Sequence, residues 1–141
     1  MIWRLEHGNL SNIRPKVAVL TIGTNNTGHL MQDPQEVAAG IERILEILAE
    51  KSPETKVVLH GVFPRGRSPF DPGRLNNLAI KQIIRRFADG DRVHYLDIGN
   101  AFLEDDSSLP ESIMPDALHL SEEGYRRWAA ALEPKLKELG L

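Results

Sequence analysis

Three short apolar segments alternate with segments of helical periodicity, and this alternation restricts the fold more than any other feature of the chain. The apolar segments span residues 16–22, 56–63 and 93–98. Each is a nearly continuous apolar run, which is typical of a strand buried on both faces of a parallel sheet. Because such strands are joined through helices by right-handed crossovers, the pattern predicts an α/β domain with a parallel sheet between helices.

The helical segments carry recognisable start signals and apolar stripes. Asp33 and Pro34 are typical of a helix start, and Ser121 is a good N-cap for a closing helix. A short helix is also expected to end at Gly8. The predicted buried positions are Val37, Ile41, Ile44, Leu45 and Leu48 in the first long helix; Leu75, Leu78, Ile83, Ile84 and Phe87 in a helix over 74–88; and Tyr125, Trp128, Leu132 and Leu136 in the closing helix.

Composition excludes several classes of protein. With 141 residues, 41% of them hydrophobic and 26% charged, the chain is expected to form a single globular domain over 1–141. A net charge of −3 provides no basic field for nucleic acid, and no apolar run approaches the ~20 residues of a membrane span. Cysteine is absent, so no disulfide or thiolate metal site is possible. The first residues lack the apolar core of a signal peptide, so a cytoplasmic chain is the default expectation.

Asp116 and His119 are the residues with the clearest catalytic potential. They lie three residues apart, after Pro115 and just before the helix that Ser121 caps, so both are expected on a constrained loop. An aspartate bonded to one ring nitrogen of a histidine leaves the other nitrogen free to take a proton from a nucleophile. The spacing also fits a simple capping loop, which is the alternative interpretation of this segment.

Two further loops follow predicted strands and are expected at the same edge of the sheet. Residues 23–28 follow the first strand, and residues 64–73, which include Arg65, follow the second. Ligands bind at the carboxyl ends of strands in open α/β sheets, so Asn25, Arg65 and the Asp116/His119 pair are predicted to converge there. The alternatives are a plain strand-exit turn for residues 23–28 and a solvated loop for residues 64–73. His60, within the second strand, is interpreted as an interior histidine.

The chain resembles the SGNH (GDSL) hydrolases in several blocks, and particularly their platelet-activating-factor acetylhydrolase branch. Gly23, Thr24, Asn25 and Asn26 after the first strand match one block of the family, and the segment from Asp116 to His119 matches another. Shorter similarities occur at residues 3–6, 13–16, 63–66 and 124–125. The resemblance therefore covers nearly the whole chain.

This resemblance implies a fold, a reaction and roles for particular residues. The fold would be a flavodoxin-like three-layer α/β/α sandwich, and the reaction hydrolysis of a small ester, with acetyl or another short acyl group. Asn25 would donate to the oxyanion, Asp116 would orient His119, and His119 would be the general base. Gly23 and Asn26 would shape the site, and Arg65 is a candidate for the substrate rim. Neither a metal nor an organic cofactor is expected.

One departure from the family pattern affects the expected activity. The Gly-Asp-Ser block that holds the family's nucleophile is not in this sequence, and two strands of the family sheet, including the one with the serine, have no counterpart. The chain alone is therefore expected to be almost inactive, since loss of a nucleophile costs about 10⁶ in turnover. A truncated gene product, a chain completed by another polypeptide, and a half-domain that pairs with itself all fit this departure. In each of these cases the edge of the first strand has no partner strand in this sequence, and it is expected to pair with a missing segment or with a second copy of the chain.

Two other functions remain as alternatives to the hydrolase. The first is a non-catalytic α/β module, derived from such a hydrolase, that serves binding or oligomerisation. The second is a flavodoxin-like nucleotide binder, which is disfavoured because no glycine-rich phosphate loop precedes a helix.

Overall fold

The computed structural model describes residues 1–8, 10–28 and 30–141. The helices are α1 (Ile2–Glu6), α2 (Thr24–Gly28), α3 (Pro34–Lys51), α4 (Pro72–Ile84) and α5 (Glu122–Glu138). The strands are β1 (Val17–Leu20), β2 (Lys56–His60) and β3 (Val93–Leu96), and short 3₁₀ turns cover Arg85–Phe87 and Gly99–Phe102.

The three strands form one parallel sheet in the order β1-β2-β3. Val58 in the central strand lies beside Val19 of β1 and His94 of β3. The predicted parallel α/β architecture is thus confirmed. The strands are shorter than the predicted apolar runs, because the hydrogen-bonded pairing between strands ends before the buried segments do. Val62 and Ile98 lie past the last paired residues and are still buried.

Two helices begin with the same signal, an aspartate cap followed by proline. The Asp33 carboxylate accepts a hydrogen bond from the Gln35 N–H at 2.7 Å, and the Asp71 carboxylate accepts one from the Arg74 N–H at 3.1 Å. Each cap satisfies a backbone donor that has no partner within its helix. Because of the second cap, α4 begins at Pro72, two residues before the predicted start.

Helices cover both faces of the sheet, as the three-layer prediction requires. One layer consists of α1, α3 and α4, whose apolar residues pack against Leu20, Val57 and Leu59. All five predicted positions of the α3 stripe are buried. On the opposite face, α5 and the loop before it enclose a second cluster, which consists of Ile98, Phe102, Leu109, Ile113 and Met114.

The predicted inner faces of α4 and α5 are partly wrong. Leu75 and Leu78 are 49% and 42% exposed, whereas Arg74 and Asn77 on the same helix are buried. Polar side chains occupy the inner face of α4 because they bond to backbone groups of neighbouring loops. In α5, Tyr125 is 57% exposed, although the prediction placed it inside. It lies at the rim of a cavity described below.

The β1 strand lies at one edge of the sheet, and its outer part is poorly covered. Val19 is 40% exposed, while its partner Val58 in β2 is fully buried. Val58 and His60 point to the same face because side chains alternate along a strand, and α5 contacts that face through Trp128. Val19 therefore faces the side of the sheet that α5 covers only in part.

Within residues 1–8, 10–28 and 30–141, no helix combines the length and the apolar character needed to cross a bilayer.

Two glycines with positive φ provide a test of this packing. Gly66 has φ +70°, and a Cβ there would overlap the Asp71 side chain, whereas Gly90 has φ +77° and open space around it. We expect Gly66→Ala to lower the free energy of unfolding by about 3 kcal/mol, through backbone strain plus displacement of the α4 cap. Gly90→Ala should cost about 1 kcal/mol, from strain alone. Urea titrations of both variants compare them, and equal losses would contradict the packing around Gly66.

Candidate active site

The Asp116 and His119 side chains form a hydrogen-bonded pair on the loop before α5. The imidazole Nδ1 of His119 lies 2.6 Å from the Asp116 Oδ2. The other carboxylate oxygen accepts the backbone N–H groups of Leu118 and His119, at 3.0 and 2.7 Å. The Asp116 carboxylate thus bonds both to the backbone of the turn at Leu118 and His119 and to the imidazole ring of His119. With Nδ1 on the carboxylate, Nε2 of His119 is the nitrogen available to a further partner.

These contacts lower the pKa of Asp116 well below its ordinary value. The largest cause is the hydrogen bond from the His119 side chain, followed by the bond from the His119 backbone. Because folding lowers this pKa, the interaction stabilises the fold above pH ~4, the ordinary value, and is lost as the pH falls through the lowered one. Asp116 is therefore a carboxylate at neutral pH, as an orienting acid must be.

Backbone contacts hold this loop in an unusual conformation. Ala117 has φ +59°, in the left-handed region that side chains other than glycine seldom occupy. Its carbonyl accepts the Gly66 N–H at 2.9 Å. At the base of the loop, the Ser121 N–H donates to the Ile113 carbonyl at 2.8 Å, and the Ser121 hydroxyl accepts from the Gly124 N–H at 3.1 Å. The conformation is thus imposed by the surrounding structure.

The predicted block after the first strand forms a short helix where the sequence predicted an irregular turn. Gly23 has φ +116°, and the chain then turns into α2. Asn25 lies on α2 and is exposed, while the Asn26 amide donates to the Gln32 side chain at 2.5 Å. The positive φ at Gly23 agrees with the expectation that this residue lets the loop turn.

A buried asparagine, Asn77 of α4, ties this block to the exit of the second strand. Its amide donates to the Phe63 carbonyl at 2.9 Å, and its carbonyl oxygen accepts the Thr27 hydroxyl at 2.8 Å. Thr27 lies on α2, which follows β1, and Phe63 lies in the segment that follows β2. Asn77 therefore fixes the relative position of the loops after β1 and β2.

Arg65 contacts the loop after β1. Its guanidinium donates to the Thr24 carbonyl at 2.7 Å and fills the space beside Gly28. It is half-buried, so residues 64–73 are not simply a solvated loop. Arg65 and Asp116 also line one open cavity of about 360 Å³. Contact between Arg65 and a substrate stays a prediction.

His119 lines another cavity, of about 180 Å³, between the strand exits and α5. Thr24, the neighbour of Asn25, contributes to its wall, together with Phe63 after β2 and Trp128 of α5. The loops after β1 and β2 and the loop before α5 thus meet at one edge of the sheet, as the topology predicts. Asn25 itself is not among the lining residues; its position beside Thr24 leaves its predicted role a prediction.

His60 is an interior histidine, as predicted. It is 1% exposed, and the Trp128 indole N–H donates to its Nε2 at 3.1 Å. Since Nε2 accepts, Nδ1 carries the proton and donates to the Leu96 carbonyl at 3.2 Å. Burial lowers the pKa of His60, which favours this neutral tautomer. The interaction anchors α5 to the sheet beneath the cavity that His119 lines.

Sequence reasoning missed three polar residues that hold the site loops. Asn77 and Arg74 of α4 are buried, and Arg67 bonds to the loop that carries Asp116. Arg74 donates to the carbonyls of Arg65, Gly66 and Ser107. A signal for the buried face of α4 was available in the sequence. Positions 73, 77, 80 and 84, which are buried, follow helical spacing, but a glycine and an asparagine among them concealed the pattern. The role of Arg67 had no such signal, because its partners are distant carbonyl groups.

Comparison with protein families and curated proteins gives consistent matches. Residues 1–127 match the GDSL-like Lipase/Acylhydrolase family. The chain is 38% identical over 140 residues to platelet-activating factor acetylhydrolase IB subunit alpha1 of Homo sapiens, covering 99% of this chain and 59% of that protein. It is 34% identical over 143 residues to subunit alpha2 of Rattus norvegicus, with the same coverage. The chain thus spans about three fifths of the length of these relatives.

Solved structures share the fold at low sequence identity. A carbohydrate acetylesterase from Sinorhizobium meliloti aligns with a TM-score of 0.76 and 20% identity, covering 98% of this chain and 67% of that one. An aryl esterase from M. smegmatis aligns with a TM-score of 0.75 and 18% identity, covering 98% and 67%. These alignments confirm the predicted SGNH-type α/β fold.

Proposed function

Because the chain belongs to the GDSL-like lipase/acylhydrolase family, we propose that it provides the acid–base part of a serine esterase site. The observation that carries this proposal is the 2.6 Å contact between Asp116 and His119 on the loop before α5. In this proposal the substrate is a small ester with a short acyl group, of which acetyl is the first choice. The serine nucleophile comes from a segment outside these 141 residues.

The proposed reaction gives each residue of this chain one task. The serine hydroxyl attacks the ester carbonyl while Nε2 of His119 takes its proton. Asp116 keeps Nδ1 of His119 protonated and stabilises the imidazolium that forms. The side-chain amide of Asn25 donates to the tetrahedral oxyanion. His119 then protonates the leaving alcohol, and a water molecule that it activates releases the acid from the acyl-enzyme.

The esterase proposal is tested by comparing two chains. We expect the 141-residue chain to hydrolyse p-nitrophenyl acetate close to the uncatalysed rate, and a version extended upstream through its reading frame to hydrolyse it as an enzyme. An extended chain that contains a Gly-Asp-Ser block and yet shows no esterase activity would contradict the proposal. It would favour the alternative of a non-catalytic binding or oligomerisation module.

We also propose that the edge of β1 pairs with a further polypeptide segment, either from the rest of the protein or from a second copy of this chain. The support is the position of β1 at the sheet edge and the 40% exposure of Val19. An exposed apolar edge strand presents unpaired backbone groups and tends to add another strand. Coverage by a partner would bury Val19, as Val58 of the central strand is buried between β1 and β3.

A charge on this edge should prevent self-association. We expect the 141-residue chain to form dimers or larger species, and Val19→Lys to shift it to monomer, because an edge lysine blocks strand addition. Leu75→Lys is the matched control, since Leu75 is 49% exposed on α4, away from the strand edge. Light scattering with size-exclusion chromatography measures both. A folded, monomeric unchanged chain would rule out pairing with itself and leave the missing segment as the partner.

A further inference from the structure

An arginine outside the predicted site contacts the loop that carries the Asp116–His119 pair. The Arg67 guanidinium donates to the carbonyls of Met114 and Pro115, at 2.8 and 2.6 Å. It also donates to the Leu109 carbonyl at 3.1 Å, at the start of the same loop. One planar group thus joins both ends of the segment that leads to Asp116.

Main-chain bonds align the two segments on either side of Arg67. The Leu109 N–H donates to the Arg67 carbonyl at 3.1 Å, and the Gly66 N–H donates to the Ala117 carbonyl at 2.9 Å. The Arg67 side chain therefore bonds to a loop that its own backbone already lies against. The carbonyls match the fixed fork geometry of the guanidinium, and the exposed Glu111 carboxylate lies 3.8 Å from one of its nitrogens.

We infer that Arg67 is a positioning residue that sets the Asp116–His119 geometry by holding the carbonyls of Met114 and Pro115. Pro115 immediately precedes Asp116, and Ala117 immediately after it has φ +59°. A left-handed residue costs about 1–2 kcal/mol unless the surrounding contacts impose it. Arg67 and Gly66 supply such contacts on the two sides of Asp116. The catalytic consequence of this inference rests on the proposed function, whereas the geometric part does not.

Substitution of Arg67 by lysine distinguishes an effect of hydrogen-bond geometry from an effect of positive charge. Arg67→Lys keeps the positive charge but not the fork that reaches three carbonyls, whereas Arg67→Gln loses both. If the arginine acted only through its field, the lysine variant would behave like the unchanged chain. If it acts by holding the carbonyls, the lysine and glutamine variants should be altered to a similar extent.

The pKa of Asp116 reports on the hydrogen bond between Asp116 and His119, and it can be measured in the 141-residue chain independently of esterase activity. Carboxyl ¹³C NMR should show the pKa of Asp116 rising toward its ordinary value by about one unit in Arg67→Lys, because the bond from His119 loosens. Arg86→Lys, at an exposed arginine of the turn after α4, should leave it unchanged. An Asp116 titration that is the same in Arg67→Lys and the unchanged chain would overturn the inference.

A second measurement needs no variant and covers the case in which Arg67→Lys does not fold. In the unchanged chain the Arg67 Nη protons should give separate, slowly exchanging NMR signals, because three carbonyls hold the group. Signals averaged by free rotation would overturn the inference.

In the extended chain, Arg67→Lys should lower kcat about 10- to 100-fold with little change in KM, since misplacement affects the transition state. An unchanged kcat in an active extended chain would also overturn it, and an inactive extended chain would count against the proposed esterase function alone.

Discussion

Replacing His119 by alanine in the upstream-extended chain should reduce kcat for p-nitrophenyl acetate by about 10⁶. The reason is that the serine is a weak nucleophile unless a base takes its proton, and loss of the base costs about as much as loss of the nucleophile itself. His119 is suited to this task because Nδ1 bonds to Asp116 at 2.6 Å and Nε2 remains available. Stopped assays at several pH values measure the rate.

His7→Ala is the matched control for this substitution. His7 is also exposed, but it follows α1, and its Nδ1 lies 2.7 Å from the Trp3 carbonyl. We expect no change in kcat from His7→Ala. A loss of less than about tenfold in His119→Ala would mean that another group is the base.

Replacing Asp116 by asparagine should reduce kcat by about 10⁴ in the same chain. An amide that remains at the position of the carboxylate can bond to the wrong tautomer of His119, and it does not stabilise the imidazolium. The loss should be smaller than for His119→Ala, since the imidazole remains in place and retains part of its basicity. The backbone bonds from Leu118 and His119 to the retained oxygen should keep the loop folded.

Asp106→Asn is the control for the capping role of Asp116. Asp106 also accepts a backbone N–H two residues on, from Ser108 at 2.9 Å, and its pKa is also lowered by hydrogen bonds. It has no histidine partner within the described part of the chain. If Asp116 acted only as a turn cap, both substitutions should have similar small effects on kcat.

Apolar periodicity and start signals predicted much of the architecture. The α3 stripe is buried at all five predicted positions, because a long amphipathic helix has one energetically favourable way to face a sheet. The parallel sheet followed from the alternation of apolar runs with helices. The three-residue spacing next to a helix cap made Asp116 and His119 a candidate pair, with a simple capping loop as the alternative, and the resemblance to the SGNH hydrolases implied their roles.

The parts that could not be predicted depend on polar groups with distant partners. The inner face of α4 contains Arg74 and Asn77, which are buried because they satisfy backbone groups of neighbouring loops. No local pattern distinguishes such residues from solvated ones, so Leu75 and Leu78 were wrongly predicted to be inside. The contact of Arg67 with the Met114 carbonyl has the same origin, because it joins residues 47 positions apart.

The Asp116–His119 pair lies on an open face of the molecule. Within the chain, His119 and Tyr125 line an open cavity, and the Asp116 and His119 side chains are 56% and 78% exposed. Catalytic groups act more strongly where water is excluded, so the proposed reaction requires this face to be covered. The same covering would shield the half-exposed Val19 on the adjoining sheet face.

The double variant Asp116→Asn/His119→Ala in the extended chain tests most directly whether Asp116 acts through His119. Groups that work as one unit show non-additive losses, because an orienting acid has no effect once the base is absent. We predict that kcat/KM for p-nitrophenyl acetate is the same in the double variant as in His119→Ala alone. A further loss in the double variant, equal to that of Asp116→Asn alone, would contradict this account.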